Sequence, residues 1–157
     1  MDYFQGVVAE YLRANRQTFV DPEFLLQLDG PASNPQKGAH WYVDLSAVNL
    51  KKSAVYLCEV SYSGTLAALL KKLSAWDSKW TEIAKALQRD ACVGADWHVR
   101  PWIFVPSKSI ASLVPKLGTL KVPPKITPLE MTQPWQFCTW DRAGEADKRA
   151  EIPETMQ

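Results

Sequence analysis

Two apolar segments joined by a very short polar connection constrain this chain more than any other feature. Residues 41–50 (WYVDLSAVNL) and 54–61 (AVYLCEVS) are rich in β-branched and aromatic side chains, and only the tripeptide KKS separates them. Segments of this composition form strands, and a short connection lets them pair antiparallel. The sequence therefore predicts a β-hairpin over residues 41–61. Because Lys51-Lys52 is not a turn of the Asn-Gly type, the sequence defines the pairing register of the hairpin only to within a residue or two.

Two carboxylates occupy matching positions in this hairpin. With a two-residue turn at Lys51-Lys52, Asp44 and Glu59 are equidistant from the turn and stand directly opposite each other. Opposed residues on one face have Cβ atoms about 4.5–5.5 Å apart. Two carboxylates at that distance repel unless a cation or a proton lies between them. A register slip of one residue would place Asp44 on the other face.

Glu59 is the more unusual of the two, because it lies between Cys58 and Val60 in an otherwise apolar strand. Burying an unpaired carboxylate is costly, so Glu59 should face a cavity, a partner or a metal ion. Carboxylate oxygens suit Mg²⁺, which could polarise a phosphodiester and activate a water. The alternative is structural: Asp44 and Glu59 lie on a solvated strand face, or pair with nearby lysines.

The rest of the chain predicts an alternation of helices and strands in one α/β domain over residues 1–140, followed by a polar C-terminal tail over 141–157. Antiparallel strands followed by a helix and another strand favour a mixed sheet with helices on both faces. Before the hairpin, the sequence predicts a helix over 2–15, an extended segment over 18–28 bent at Asp21-Pro22, and a loop over 29–39. After it, a helix capped by Ser63 or Thr65 pauses near Trp80 and ends near Arg89, and a strand follows over 99–105, in which Pro101 indicates an edge or bulge. The remaining predicted elements are a helix over 107–117, an extended proline-rich segment over 118–134 and a short strand over 135–140.

Bulk composition narrows the classes of function. The net charge of +1 gives no general attraction to nucleic acid or anionic membranes, so such binding would need a local patch. Three widely spaced cysteines without a CxxC pair favour free thiols in a reducing compartment. Neither a secretory signal nor an apolar run of transmembrane length is present, so we expect a cytoplasmic protein without a membrane partner.

Three short motifs in this order are similar to those of a known superfamily. Gly6-xxx-Glu10 in the first helix, Asp44 at the end of one strand and Glu59-Val60-Ser61 on the next resemble the PD-(D/E)XK nuclease-like superfamily. The resemblance covers residues 2–117. It implies the restriction-endonuclease-like αβββαβ core, with a mixed sheet flanked by helices.

The resemblance also implies a metal site. In this superfamily the two acidic residues and the backbone carbonyl after the second one bind Mg²⁺, and Mn²⁺ can replace it. These map to Asp44, Glu59 and the carbonyl of Val60. A glutamate of the first helix completes the site in some members, and here that residue would be Glu10.

One position departs from the pattern, because Ser61 stands where the superfamily has a lysine. Serine supplies no positive charge to orient water or stabilise the charge of the transition state. Some members place the lysine in the following helix, where this chain has Lys71 and Lys72.

These residues support three hypotheses. The first is a Mg²⁺-dependent nuclease acting on DNA, with RNA as a second candidate substrate, that uses Asp44, Glu59 and Lys71 or Lys72. The second is a catalytically inactive relative that binds nucleic acid or protein. The third is a structural subunit that buries its aromatic surface against a partner. The small size of the chain favours a homo-oligomer or a protein partner.

Overall fold

The computed structural model describes residues 1–15, 17–29 and 40–133. Within these ranges five strands form one mixed sheet in the order β1-β2-β3-β4-β5, flanked by four α-helices, which confirms the predicted α/β class. Strands β1 to β3 are antiparallel, whereas β4 and β5 run parallel to β3. The elements are α1 (Tyr3–Arg13), β1 (Thr18–Gln27), β2 (His40–Asn49), β3 (Ala54–Val60), α2 (Ala67–Ser78), α3 (Trp80–Asp90), β4 (His98–Val105), α4 (Ser107–Leu117), β5 (Lys125–Pro128) and a short 3-10 helix (Leu129–Thr132).

The hairpin predicted from the apolar segments is formed by β2 and β3. Leu45 pairs with Cys58, which is the register expected for a turn centred on Lys51-Lys52. The turn itself occupies residues 50–53. The paired ladder ends at Leu45 and Cys58, and Asp44 and Glu59 are the next residues on the two strands.

The edge strand β1 is continuous through the predicted bend, but the bend has a consequence for β2. Pro22 pairs with Leu45 and Phe24 pairs with Val43, while Glu23 between them adopts a φ of 54°. In a regular strand Val43 and Leu45 would lie on one face. Here they pack into the cores on opposite faces of the sheet. The side-chain alternation of β2 therefore shifts at the residue between them, Asp44.

Helices cover both faces of the sheet, as predicted. α1 packs on one face through Val8, Tyr11 and Leu12. α2, α3 and α4 cover the other face. Asp2 starts α1 with a capping box, in which its side chain accepts from the N–H of Gln5 and the Gln5 side chain accepts from the N–H of Asp2.

The second helical region differs from the prediction at its start. Leu66, in a left-handed conformation, is the N-cap of α2, and no side chain caps the helix, so the prediction of a cap at Ser63 or Thr65 is wrong. The inward packing of Leu69 and Leu73 sets the position of this helix instead. The predicted pause is present, because α2 ends at Ser78 and α3 begins at Trp80.

The proline-rich segment after α4 contains a strand that the sequence did not indicate. β5 pairs with β4 from Trp102 onwards. Pro101, expected at an edge or bulge, thus lies in an interior strand but on a part paired only with β3, where its missing N–H is tolerated.

Several predicted segments lie outside the described residues: the loop beyond residue 29, the strand over 135–140 and the tail over 141–157. In the ranges that are described, no helix has both the length and the apolar character needed to cross a membrane.

Candidate functional site

Asp44 is held between β3 and α1. Its Oδ2 accepts a hydrogen bond from the backbone N–H of Val60 at 2.7 Å. Its Oδ1 accepts from Nε2 of Gln5 at 2.8 Å. The shift in the alternation of β2 explains this arrangement, since it turns the Asp44 carboxylate toward the neighbouring strand. Asp44 is therefore a partly buried carboxylate fixed from two directions.

Glu59 is held from the face of the sheet that α2 covers. Only 6% of its surface is exposed. Its Oε1 accepts from Nζ of Lys72 at 2.6 Å and, more weakly, from the backbone N–H of Asp44 at 3.4 Å. Each carboxylate thus bonds to the backbone of the other strand. The structure brings Asp44 and Glu59 close together, but not as the directly opposed pair on one face that the sequence predicts. The paired ladder ends at Leu45–Cys58, and Gln5 of α1 contacts Asp44 from one face while Lys72 of α2 contacts Glu59 from the other.

Lys72 is the helix lysine that reaches this pair. In addition to its ion pair with Glu59, its Nζ donates to the carbonyl of Tyr42 at 2.7 Å and lies 5.6 Å from the centre of the Trp76 ring. Lys71, one residue earlier in α2, is exposed. Successive helix residues differ by about 100° in direction. Only one of the two candidate lysines therefore joins the carboxylates.

The electrostatics of the pair follow from burial. Burial first, and the charge of Asp44 second, raise the pKa of Glu59 to about 7, although Lys72 opposes the rise. Burial also raises the pKa of Asp44 above its ordinary value, against the hydrogen bond from Val60 and the charge of Lys72. Two partly desolvated carboxylates beside a single ammonium group are an environment that a further cation would stabilise.

The site contains oxygen atoms of the kind that a divalent ion such as Mg²⁺ prefers as ligands. The carboxylates of Asp44 and Glu59 and the carbonyl of Val60 are candidate ligands. Among the described residues no group of three or more His, Cys, Asp or Glu side chains could form a metal cage. Mg²⁺ needs no such cage, because it commonly binds one or two carboxylates and keeps several waters.

Glu10, implied as a further ligand, lies elsewhere on α1. Its carboxylate is exposed and accepts from Nη1 of Arg13 at 2.9 Å. The α1 side chain that contacts the site is Gln5. The sequence contains a capping signal for the start of α1 but none for this contact, which depends on how the helix crosses the sheet.

Ser61 does not replace the missing lysine. Its N–H donates to the carbonyl of Phe104 at 2.9 Å, which extends the pairing of β3 with β4 by one residue. The backbone of Ser61 thus continues the sheet while Lys72 supplies the ammonium group from α2.

Comparison of the chain with protein-family models, with curated proteins and with solved structures finds no match.

The raised pKa of Glu59 predicts a pH-dependent stability. A glutamate with an unfolded pKa of 4.5 and a folded pKa of about 7 binds its proton more tightly in the folded state. The stabilisation from this proton is complete below pH 4.5 and is lost as the pH rises through 7. We expect Glu59 to reduce the free energy of unfolding between pH 5 and pH 8, by at most about 3 kcal/mol.

Urea unfolding of the wild type and of Glu59→Gln at both pH values measures this contribution. The glutamine variant should lose less stability than the wild type over the interval. Equal losses in the two proteins would contradict the assignment of the raised pKa to Glu59.

Proposed function

We propose that the protein is a Mg²⁺-dependent nuclease of the PD-(D/E)XK type that hydrolyses DNA phosphodiesters. Asp44 and Glu59 are the metal ligands, with the carbonyl of Val60 in support, and Lys72 takes the role of the lysine absent at position 61. Cys58 and Cys92 are free thiols, which suits a reducing compartment such as the cytoplasm.

The observation that carries the proposal is the position of the Lys72 ammonium group. It lies 2.6 Å from a buried carboxylate that is itself on the strand next to Asp44. A lysine from the helix after β3 thus reaches the acidic pair, which is the relocation that some superfamily members show. The order α1-β1-β2-β3, then the consecutive helices α2 and α3, then β4, further supports the proposal, because it follows the αβββαβ sequence of elements with the second helix divided in two.

Each residue of the site has a separate role in the proposed hydrolysis. A bound Mg²⁺ would polarise the phosphodiester and lower the pKa of a coordinated water. Asp44 and Glu59 hold the negative charge that binds the ion, and Gln5 and the N–H of Val60 fix the direction of Asp44. Lys72 would orient the attacking water and stabilise the charge that develops on the phosphate oxygens.

A second candidate function is a catalytically inactive relative that binds nucleic acid or protein. The observation that favours it is the saturation of the carboxylates by donors. Both oxygens of Asp44 accept hydrogen bonds, and Lys72 already neutralises Glu59. An internally paired cluster of this kind could stabilise the hairpin without any metal.

Cleavage of labelled DNA separates the two functions. The full chain is incubated with single-stranded and duplex DNA, and with RNA, in Mg²⁺, in Mn²⁺ and in EDTA. The nuclease proposal expects cleavage with either metal ion and none in EDTA. Cleavage that survives EDTA, or the absence of cleavage on every substrate with both metal ions, would contradict it.

A further inference from the structure

An aromatic groove of about 410 Å³ opens between the start of α1, the segment after β3 and the start of α4. Phe4 and Tyr62 form its aromatic wall, with ring centres 4.3 Å apart and planes tilted by 31°. Tyr3 packs edge-on against Phe4. Tyr3 and Tyr62 are 73% and 55% exposed. Large aromatic side chains left open to solvent and gathered around one groove indicate a binding surface.

Two residues that line the groove, Phe4 and Tyr62, lie close in sequence to residues of the acidic site. Phe4 directly precedes Gln5, whose side chain donates to Asp44. Tyr62 follows Val60 by two residues, and the N–H of Val60 donates to the same carboxylate. Two residues of extended chain span roughly 7 Å. A group bound against Tyr62 would therefore lie within reach of a phosphate bound to an ion at Asp44.

The polar part of the groove suits a nucleotide. Lys108 supplies a positive charge and Gln133 an amide that can donate and accept hydrogen bonds. Glu130 also lines the groove, but its carboxylate accepts from the N–H and the hydroxyl of Ser107 at 2.9 and 2.7 Å. That carboxylate therefore holds the start of α4, while its negative charge remains and partly offsets the charge of nearby Lys108.

We propose that this groove binds an unpaired nucleobase next to the cleaved phosphodiester, so that the substrate is single-stranded at the cleavage position. The inference rests on the proposed nuclease function. A base within a duplex is stacked on both faces and cannot lie against Tyr62 without leaving the helix. Unpaired bases stack on aromatic side chains irrespective of sequence, and a neighbouring cation contacts the backbone.

Binding of a labelled oligonucleotide tests the proposal without cleavage. Fluorescence anisotropy in EDTA compares one single strand with the blunt duplex of the same sequence. The wild type should bind the single strand more tightly. Tyr62→Ala should weaken that binding about tenfold and leave duplex binding unchanged, because one stacking contact is lost.

Two matched variants serve as controls. Tyr62→Phe keeps the ring and should bind as the wild type does. Phe19→Ala removes another exposed aromatic side chain, which pairs with Val48 near the hairpin turn, and should have no effect. Thermal unfolding checks that each variant is folded.

The outcomes separate this inference from the proposed function. The inference is overturned if the wild type binds single strand and duplex equally, or if Tyr62→Ala binds the single strand as the wild type does. It is also overturned if either result is found together with sedimentation evidence that a second copy of the chain covers the groove. Tyr62-dependent binding of the single strand without metal-dependent cleavage supports the groove and contradicts the nuclease. Metal-dependent cleavage without any effect of Tyr62→Ala supports the nuclease and contradicts the proposed role of the groove.

Discussion

The Glu59→Gln variant is expected to cleave DNA at least about 1,000-fold more slowly than the wild type in Mg²⁺. Glutamine keeps the shape of the side chain and an oxygen that can accept from Lys72 and from the N–H of Asp44. It loses the negative charge that a divalent ion requires. Loss of metal assistance removes several kcal/mol of transition-state stabilisation, and each 1.4 kcal/mol is about a factor of ten in rate. Single-turnover cleavage measures the effect.

Glu10→Gln is the matched control for this experiment. Glu10 is the other carboxylate that the superfamily resemblance implies, but it is exposed and paired with Arg13. Its replacement should leave the cleavage rate within about twofold of the wild type, as expected for an exposed pair that contributes little. A Glu59→Gln rate close to that of the wild type would remove Glu59 from the mechanism, whereas a large effect of Glu10→Gln would add Glu10 to it.

Lys72→Met is expected to lower the cleavage rate by about 100-fold, which is the usual effect of removing one preorganised group that stabilises developing charge. Methionine retains an unbranched apolar stem beside Trp76 but has no ammonium group. Because Lys72 is ion-paired with Glu59 and would compete with a metal ion for it, the variant should bind Mn²⁺ at least as tightly as the wild type. The expected signature is therefore slower cleavage with undiminished metal binding.

Lys71→Met provides a control one residue away on the same helix. Lys71 is exposed, so its replacement should change neither the rate nor metal binding. Equal losses of activity in the two variants would indicate that the helix supplies a general basic surface. An unaffected rate in Lys72→Met would assign Lys72 a structural role only.

The hairpin and its acidic pair could be predicted because local rules determine both. Strand composition located β2 and β3, and a turn centred on Lys51-Lys52 set the register of a ladder that ends at Leu45–Cys58, directly before Asp44 and Glu59. The four-residue loop did not disturb this register, because its centre is the one assumed.

The contacts that fix the site depend on tertiary packing, and the sequence did not reveal them. Gln5 reaches Asp44 across 39 positions of sequence, and no local pattern links the two residues. The sequence did not indicate β5, because a strand of four residues is too short for a recognisable strand composition and prolines surround it.

The choice between Lys71 and Lys72 was within reach of the sequence. The buried stripe of α2 contains Leu69, Leu73 and Trp76. Lys72 lies three residues after Leu69 and four before Trp76, which places it beside that stripe. The helical period of this segment, on its own, favours Lys72 over Lys71.

Binding of Mn²⁺ to the full chain is the sharpest test of the proposed metal site, because it requires no knowledge of the substrate. Electron paramagnetic resonance of free Mn²⁺ during a titration counts the bound ions. We expect a bound ion in the wild type and in Lys72→Met, and loss of that ion in Asp44→Asn and in Glu59→Gln. Equal Mn²⁺ binding by all four proteins, or none by the wild type, would contradict the assignment of Asp44 and Glu59 as metal ligands.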